Sequence, residues 1–260
     1  MKRNPRLFFS FRSPFSWMAV ERLQRAVPDV HNLLEFIPYW EPDIRTQDAL
    51  HKREAEIRYA PMSKAKHLYI LQDTKRLADE LNLSIVWPVD KAPWWEVSHL
   101  GWLKARHMGG APAFYKAVTE ARWLRGENIS DPEVIRKVSE SVGLDGKVIA
   151  EAVDDEQIRA EAVECLVEAY LDDIFGVPYF RLGWHRFWGF DRVDRFITLL
   201  NSTLNSTSGV SLASPKGSGI TSSVSSVAAE HVACAVSVSS NCNPPTQTAA
   251  YDHDTAGGCG

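Results

Sequence analysis

The chain contains no Cys-x-x-Cys pair. Cys165 stands alone in the body, and Cys234, Cys242 and Cys259 crowd the last stretch. Dithiol exchange needs one thiolate to attack and a second thiol to resolve, so this chain does not perform it unaided. The paired spacing of a structural zinc site is missing as well. His-x-x-x-His and His-Glu-x-x-His patterns are absent, and no metal is assigned. A net charge of −4 leaves no basic excess for nucleic acid or an anionic membrane surface. No apolar run approaches the roughly 20 residues of a membrane span. Arg6, Arg12 and Pro14 interrupt the Phe-containing start, so it does not read as a signal-peptide core, and a cytoplasmic protein is expected.

What remains is an ordinary globular composition, 45% hydrophobic and 24% charged, over 260 residues. Residues 5–12 alternate around Leu7, Phe9 and Phe11 and predict a first strand. Helical spacing of Phe15, Met18, Ala19 and Leu23 predicts a helix over 14–26. Residues 32–40 predict a second strand, and strand–helix–strand implies a parallel, right-handed crossover. From 44 to 165 the pattern is helical. Leu68, Leu71, Leu77 and Leu81 mark a helix over 64–81, and others are expected over 96–107 and 113–124. A further helix start has Ser130 as cap and Glu133 at the capping-box position. A short helix over 145–152 and a final one over 155–175 follow. Strands over 178–182 and 185–188, joined by Gly183-Trp184, lead to a closing helix over 191–200 with Asp191 as its cap.

The expected fold class is therefore α/β. A sheet domain from 1–43 and 166–200 is interrupted by an all-helical insertion, 44–165. Residues 201–260 change character: rich in Ser and Thr, they carry only Lys216, Glu230, Asp252 and Asp254 as charges, a tail with too little apolar surface to offset its chain entropy.

Two distant stretches organise the candidate site: Ser13-Pro14-Phe15-Ser16 at a strand-to-helix turn, and Gly176-Val177-Pro178-Tyr179 ahead of a strand. Each alone also reads as plain local chemistry, a Ser cap with Pro at N1 and a turn before a strand. A helix tip with free amides and a hydroxyl suits an anion, including the thiolate of a bound small thiol.

The segments Phe9 to Glu21, Phe175 to Phe180 and Phe187 to Asp194, with Lys66, Tyr69, Asp73 and Arg76 between them and the late helical segment Ile129 to Asp145, resemble the 2-hydroxychromene-2-carboxylate isomerase family. That family is akin to kappa-class glutathione transferases and DsbA proteins. The resemblance covers residues 5–200 and implies a thioredoxin-like fold with glutathione or another low-molecular-weight thiol as cofactor. By the same likeness Ser13 is the catalytic hydroxyl, bonding the glutathione sulfur, with Phe15 beside it. Val177, before a cis Pro178, pairs its backbone with the glutathione cysteine. Asp191 holds the γ-glutamyl amine, and the amides of Phe190 and Arg192 take its carboxylate. The implied reaction is isomerisation or transfer on a small conjugated aromatic acid: thiolate addition, bond rotation, elimination. Trp87, Trp94, Trp95, Trp102 and Trp123 either line a pocket for that acid or form the core of the helical block. Lys64, Lys66, Arg53 and Arg58 either face its carboxylate or form a solvated helix face.

The tail supports an alternative. Dehydrated Ser and Thr accept Cys thiols to form thioether rings, so a Ser/Thr/Cys-rich end resembles a lanthipeptide-like precursor. The body would then be a non-catalytic leader or carrier, and the partners peptide-modifying enzymes acting on the tail. The plain reading of the same stretch is a low-complexity extension. Substrate identity and oligomeric state, a homodimer included, are left open.

Overall fold

The run Arg6-Leu7-Phe8-Phe9 is buried along its whole length and forms the interior strand β1 (Arg6–Phe9). A strand with partners on both edges and helices packed near it reads as an unbroken apolar run rather than a strict alternation. In this computed structural model, residues 4–58 and 63–208 are described, the side chains of 206–208 excepted. The tail readings for 209–260, including Cys234, Cys242 and Cys259, lie outside the described residues.

Ser13 and Pro14 turn the chain from β1 into helix α1 (Pro14–Ala26), whose start and end match the predicted span. The second predicted strand is shorter than expected. Buried Val30 opens a helical turn, α2 (Val30–Leu33), closed by the Leu34 N–H donating to the Val30 carbonyl at 2.9 Å, and only β2 (Glu35–Pro38) joins the sheet. β2 pairs parallel with β1, Leu7 opposite Phe36. Helices α3 (Ile44–His51), α4 (Lys64–Glu80), α5 (Glu96–His107), α6 (Ala111–Trp123), α7 (Pro132–Ser141) and α8 (Gly146–Ala150) follow.

Several helix limits differ from expectation. Asp131, not Ser130, caps α7: Pro132 occupies N1, so the residue before it is the cap, and Asp131 Oδ1 accepts the Glu133 N–H at 2.9 Å. Helix α9 (Glu156–Leu171) starts from the Asp155 cap and stops before Asp173, whose φ of 59° leaves the helical region. Strands β3 (Tyr179–Leu182) and β4 (His185–Trp188) complete a four-stranded sheet in the order β2-β1-β3-β4, β3 antiparallel to both neighbours. Helix α10 (Val193–Ser208) runs eight residues past Leu200, the expected end.

Two clusters of apolar side chains hold these layers. The larger unites the sheet with α5, α6 and α9. Phe9 is at its centre, edge-on to Phe11, Trp102 and Tyr115 at 5.2–5.3 Å between ring centroids. The smaller joins α1 to α4 through Trp17, Met18, Ala78, Leu81 and Trp123, with Trp17 and Trp123 stacked at 6.2 Å. Aromatic burial of this kind is a large apolar contribution with a preferred ring geometry. The buried face of α4 is Ile70, Thr74 and Ala78, with Leu77 packed beside it and Leu81 buried just past its end; of the leucines the sequence singled out, Leu68 is 52% exposed.

Beneath the sheet, buried Arg6 lies 2.6 Å from Asp172 and also pairs with Glu168, while Arg181 pairs with the same Asp172. These pairs fasten β1 and β3 to the end of α9.

Candidate functional site

Helix α1 begins where its sequence says it must. Ser13 has extended backbone angles and its Oγ accepts the Ser16 N–H at 3.2 Å; Pro14 fills N1, where a missing N–H costs nothing. Behind this tip the turn closes on itself. The Ser13 N–H donates to the Ser10 carbonyl at 3.1 Å, and the Ser10 N–H to Ser16 Oγ at 3.3 Å. Ser13 and Ser16 are both buried. Arg12, also buried, reaches Glu41 at 2.9 Å and lies over the Trp95 ring.

The second stretch meets the first. The Val177–Pro178 peptide is cis. The Pro178 carbonyl accepts the Gly189 N–H at 3.0 Å, which ties the start of β3 to the turn after β4. Gly189 has a φ of 93°, a left-handed conformation that favours glycine. From it the chain enters a 3-10 turn, Phe190–Arg192. Asp191 therefore sits inside that turn, where the Arg192 guanidinium pairs with it, rather than capping the closing helix.

Between these parts lies an open cavity of about 480 Å³ lined by Phe15, Val177, Pro178, Phe190, Asp191 and Arg192 together with Trp188, Gly189 and four residues of α4. The volume falls in the usual range of small-molecule sites, about 300–1,000 Å³. The α4 residues are Lys66, Ile70, Asp73 and Leu77, one stripe at spacings of four, three and four. Phe15, Leu77 and Phe190 also pack on the smaller apolar cluster, so the core of α1 and α4 forms the cavity's floor. Every residue singled out from the sequence for cofactor binding lies on this wall except Ser13. Ser13 is two positions behind Phe15, with its hydroxyl on the Ser16 amide. A hydroxyl that accepts one bond still has its own proton to donate.

The five tryptophans singled out from the sequence do not line the cavity. Trp95, Trp102 and Trp123 are buried in the core; Trp87 packs edge-on against Trp123, and Trp94 donates to Asp43 at 3.1 Å. Trp95, Trp102 and Trp123 follow the second of the two readings, the core of the helical block, while Trp87 and Trp94 stand in the loop ahead of α5. The tryptophan that does line it is Trp188, at the end of an edge strand, with Phe175 at 4.9 Å. Lys66 reaches the cavity as well, whereas Arg53 and Arg58 are spent on surface pairs with Glu164 and Asp173. The signal for Trp188 lay in its distance from Gly189 and Asp191, not in any periodicity.

Cys165 is buried in α9, and burial pushes its thiol up to about 12. It supplies no thiolate at neutral pH. Among the described residues no group of three His, Cys, Asp or Glu side chains is placed to hold a metal, and no helix is long and apolar enough to cross a membrane.

A thioredoxin-like sheet that brings a capped helix tip beside a cis-proline edge defines a protein of the thioredoxin superfamily. The chain belongs to the DSBA-like thioredoxin domain family, whose model matches residues 6–201. It is 27% identical over 192 residues to 2-hydroxychromene-2-carboxylate isomerase of Sphingobium xenophagum, covering 72% of this chain and 92% of that one. The structure of a 2-hydroxychromene-2-carboxylate isomerase superposes with a TM-score of 0.63 at 22% identity, over 80% of this chain and 99% of the other. A cytosolic disulfide reductase, DsbM from Pseudomonas aeruginosa with GSH, gives 0.50 at 16% identity, over 77% and 98%.

Proposed function

We propose that the chain binds glutathione, or a low-molecular-weight thiol like it, in this cavity and uses the sulfur to isomerise a small conjugated aromatic acid. The observation that carries the reading is the joint lining of one cavity by Phe15 at the α1 tip and Val177–Pro178 at the β3 edge. The aligned peptide dipoles of α1 give that tip a partial positive charge, which favours thiolate over thiol. Cys165 is buried with its thiol held protonated, and the reading therefore takes the nucleophile from a bound small thiol. Likeness to the Sphingobium xenophagum isomerase supports the reaction class. Likeness in fold to DsbM, whose structure was solved with GSH, supports the cofactor.

The sulfur adds to the conjugated double bond, forming a C–S bond while the electron pair moves onto the neighbouring carbonyl. The former double bond, now single, rotates. Collapse of the enolate expels the thiolate and restores the double bond in the other geometry, so no oxidant is consumed. In this reading Ser13 Oγ–H donates to the sulfur, Asp191 holds the cofactor's amine, and the amides of Phe190 and Arg192 hold its carboxylate. Lys66, facing the cavity without an acidic partner among the described residues, receives the substrate carboxylate. A cytoplasmic setting keeps such a thiol reduced.

Thermal stabilisation by glutathione, compared with cysteine and with oxidised glutathione, tests the cofactor. A Ser13→Ala variant that folds and binds the thiol should lose turnover at least about a hundredfold. Unchanged turnover removes Ser13 from the mechanism.

A further inference from the structure

His99, from the interior of α5, is completely buried and 89 positions away from the turn it touches. The Phe11 N–H, one of the first amides beyond β1, donates to its Nε2 at 3.2 Å. Nε2 is therefore the bare nitrogen. The proton sits on Nδ1, which donates to the Trp95 carbonyl at 2.7 Å. Nε2 also stands 3.3 Å from Ser10 Oγ, and that oxygen accepts the Arg12 N–H at 3.3 Å. The ring is stacked on Trp40 at 5.1 Å and tilted against Phe11 at 5.3 Å. Burial, aided by the positive charge of Arg122 and opposed by the Trp95 carbonyl, depresses its pKa to about 3, so the ring stays a neutral acceptor.

The bonds form a continuous chain. His99 fixes Phe11 and Ser10; Ser10 holds the Ser13 N–H on its carbonyl and sends its own N–H to Ser16; Ser16 sends its N–H to Ser13 Oγ. Remove the imidazole, and the Phe11 amide and Ser10 hydroxyl lose their partner in a dry interior. The turn must then move to recover them.

We infer that His99 is a positioning residue for the site: as a neutral acceptor it sets the Ser10–Ser16 turn and, through it, the direction in which Ser13 and the α1 tip face the bound thiol. It touches neither cofactor nor substrate. The thiol half of the inference rests on the proposed function; the turn half does not.

The test uses the full chain with His99→Leu, which keeps apolar bulk but no acceptor, and His99→Gln, whose amide oxygen restores one. Amide exchange at Phe11 and Ser16, referred to Leu166 in α9, is expected to quicken about tenfold or more in His99→Leu and to return most of the way in His99→Gln. At matched stability, the absorbance of bound glutathione thiolate against pH should move the thiol pKa in His99→Leu back toward its free value. Exchange at Phe11 and Ser16 unchanged against Leu166 overturns the inference. Wild-type protein that binds no glutathione instead sinks the proposed function, while the exchange result still decides the role of the turn. Should His99→Leu fail to fold, imidazole nitrogen shifts of the wild type decide: a proton on Nδ1 alone from pH 5 to 8 is required, and a protonated Nε2 contradicts it.

Discussion

The two walls of the cavity are built in opposite ways. On one side stand the Ser10–Ser16 turn and the Val177–Pro178 edge. Ser13, Ser16, Phe11 and His99 are all buried, and their polar groups bond one another. On the other stands α4, which buries only Ile70, Thr74 and Ala78 and leaves Leu68 and Tyr69 more than half exposed. Groups that must meet a reacting sulfur within a fraction of an ångström need the first kind of support. A surface that selects among substrates tolerates the second. Under the proposed function, the difference gives the chemistry to the buried wall and recognition to α4.

Substitutions should separate the walls by magnitude. Phe9→Ala removes the ring on which Phe11, Trp102 and Tyr115 converge and should cost about 3–5 kcal/mol in denaturant unfolding. A loss below about 1 kcal/mol would mean the turn rests on something else. Next comes acid sensitivity. The folded-state pKa of His99 is about 3, below its ordinary 6.5, so the unfolded chain takes up the proton first. The stability contributed by a neutral His99 should therefore fall as pH drops through 6.5 and level off near 3, by no more than about 1.4 kcal/mol per pH unit. His31, whose pKa is also lowered by burial, adds to the same slope. His99→Gln should flatten the slope without abolishing it, and an unchanged slope would show that His99 is not held neutral.

The smallest expected effect is on the α4 wall. Lys66→Gln should leave stability within about 0.5 kcal/mol, since its side chain is exposed and unpaired among the described residues. Yet it should raise the KM for an acidic substrate severalfold at low salt, and less at high salt. A stability loss as large as that of Phe9→Ala would erase the distinction between the walls.

How far the sequence reaches follows the same divide. Helix α1 was legible because Ser13 and Pro14 carry local instructions for a helix start. The lining by Phe15, Val177, Pro178, Phe190, Asp191 and Arg192 could be anticipated because the two segments have a family likeness. His99 was not legible: nothing near it in the chain announces that its partner amide belongs to Phe11. The face of α4 was only partly legible: Leu77 and Leu81 pack as their spacing suggested, but Ile70, Thr74 and Ala78 carry the buried face while Leu68 is exposed. The tryptophans stayed ambiguous for the converse reason, since large aromatic side chains serve a core and a pocket equally well. Ser130 and Asp131 are both capping types, and only the position of Pro132 decides between them.

The central claim is that a small thiol binds where the α1 tip meets the Pro178 edge. Amide chemical shifts followed during a glutathione titration of the wild-type chain test it most directly. The account predicts saturable shifts concentrated at Phe15, Val177, Phe190, Asp191 and Arg192, with α9 and the far end of α10 unmoved. No saturable shift, or shifts gathered away from those residues, would contradict it.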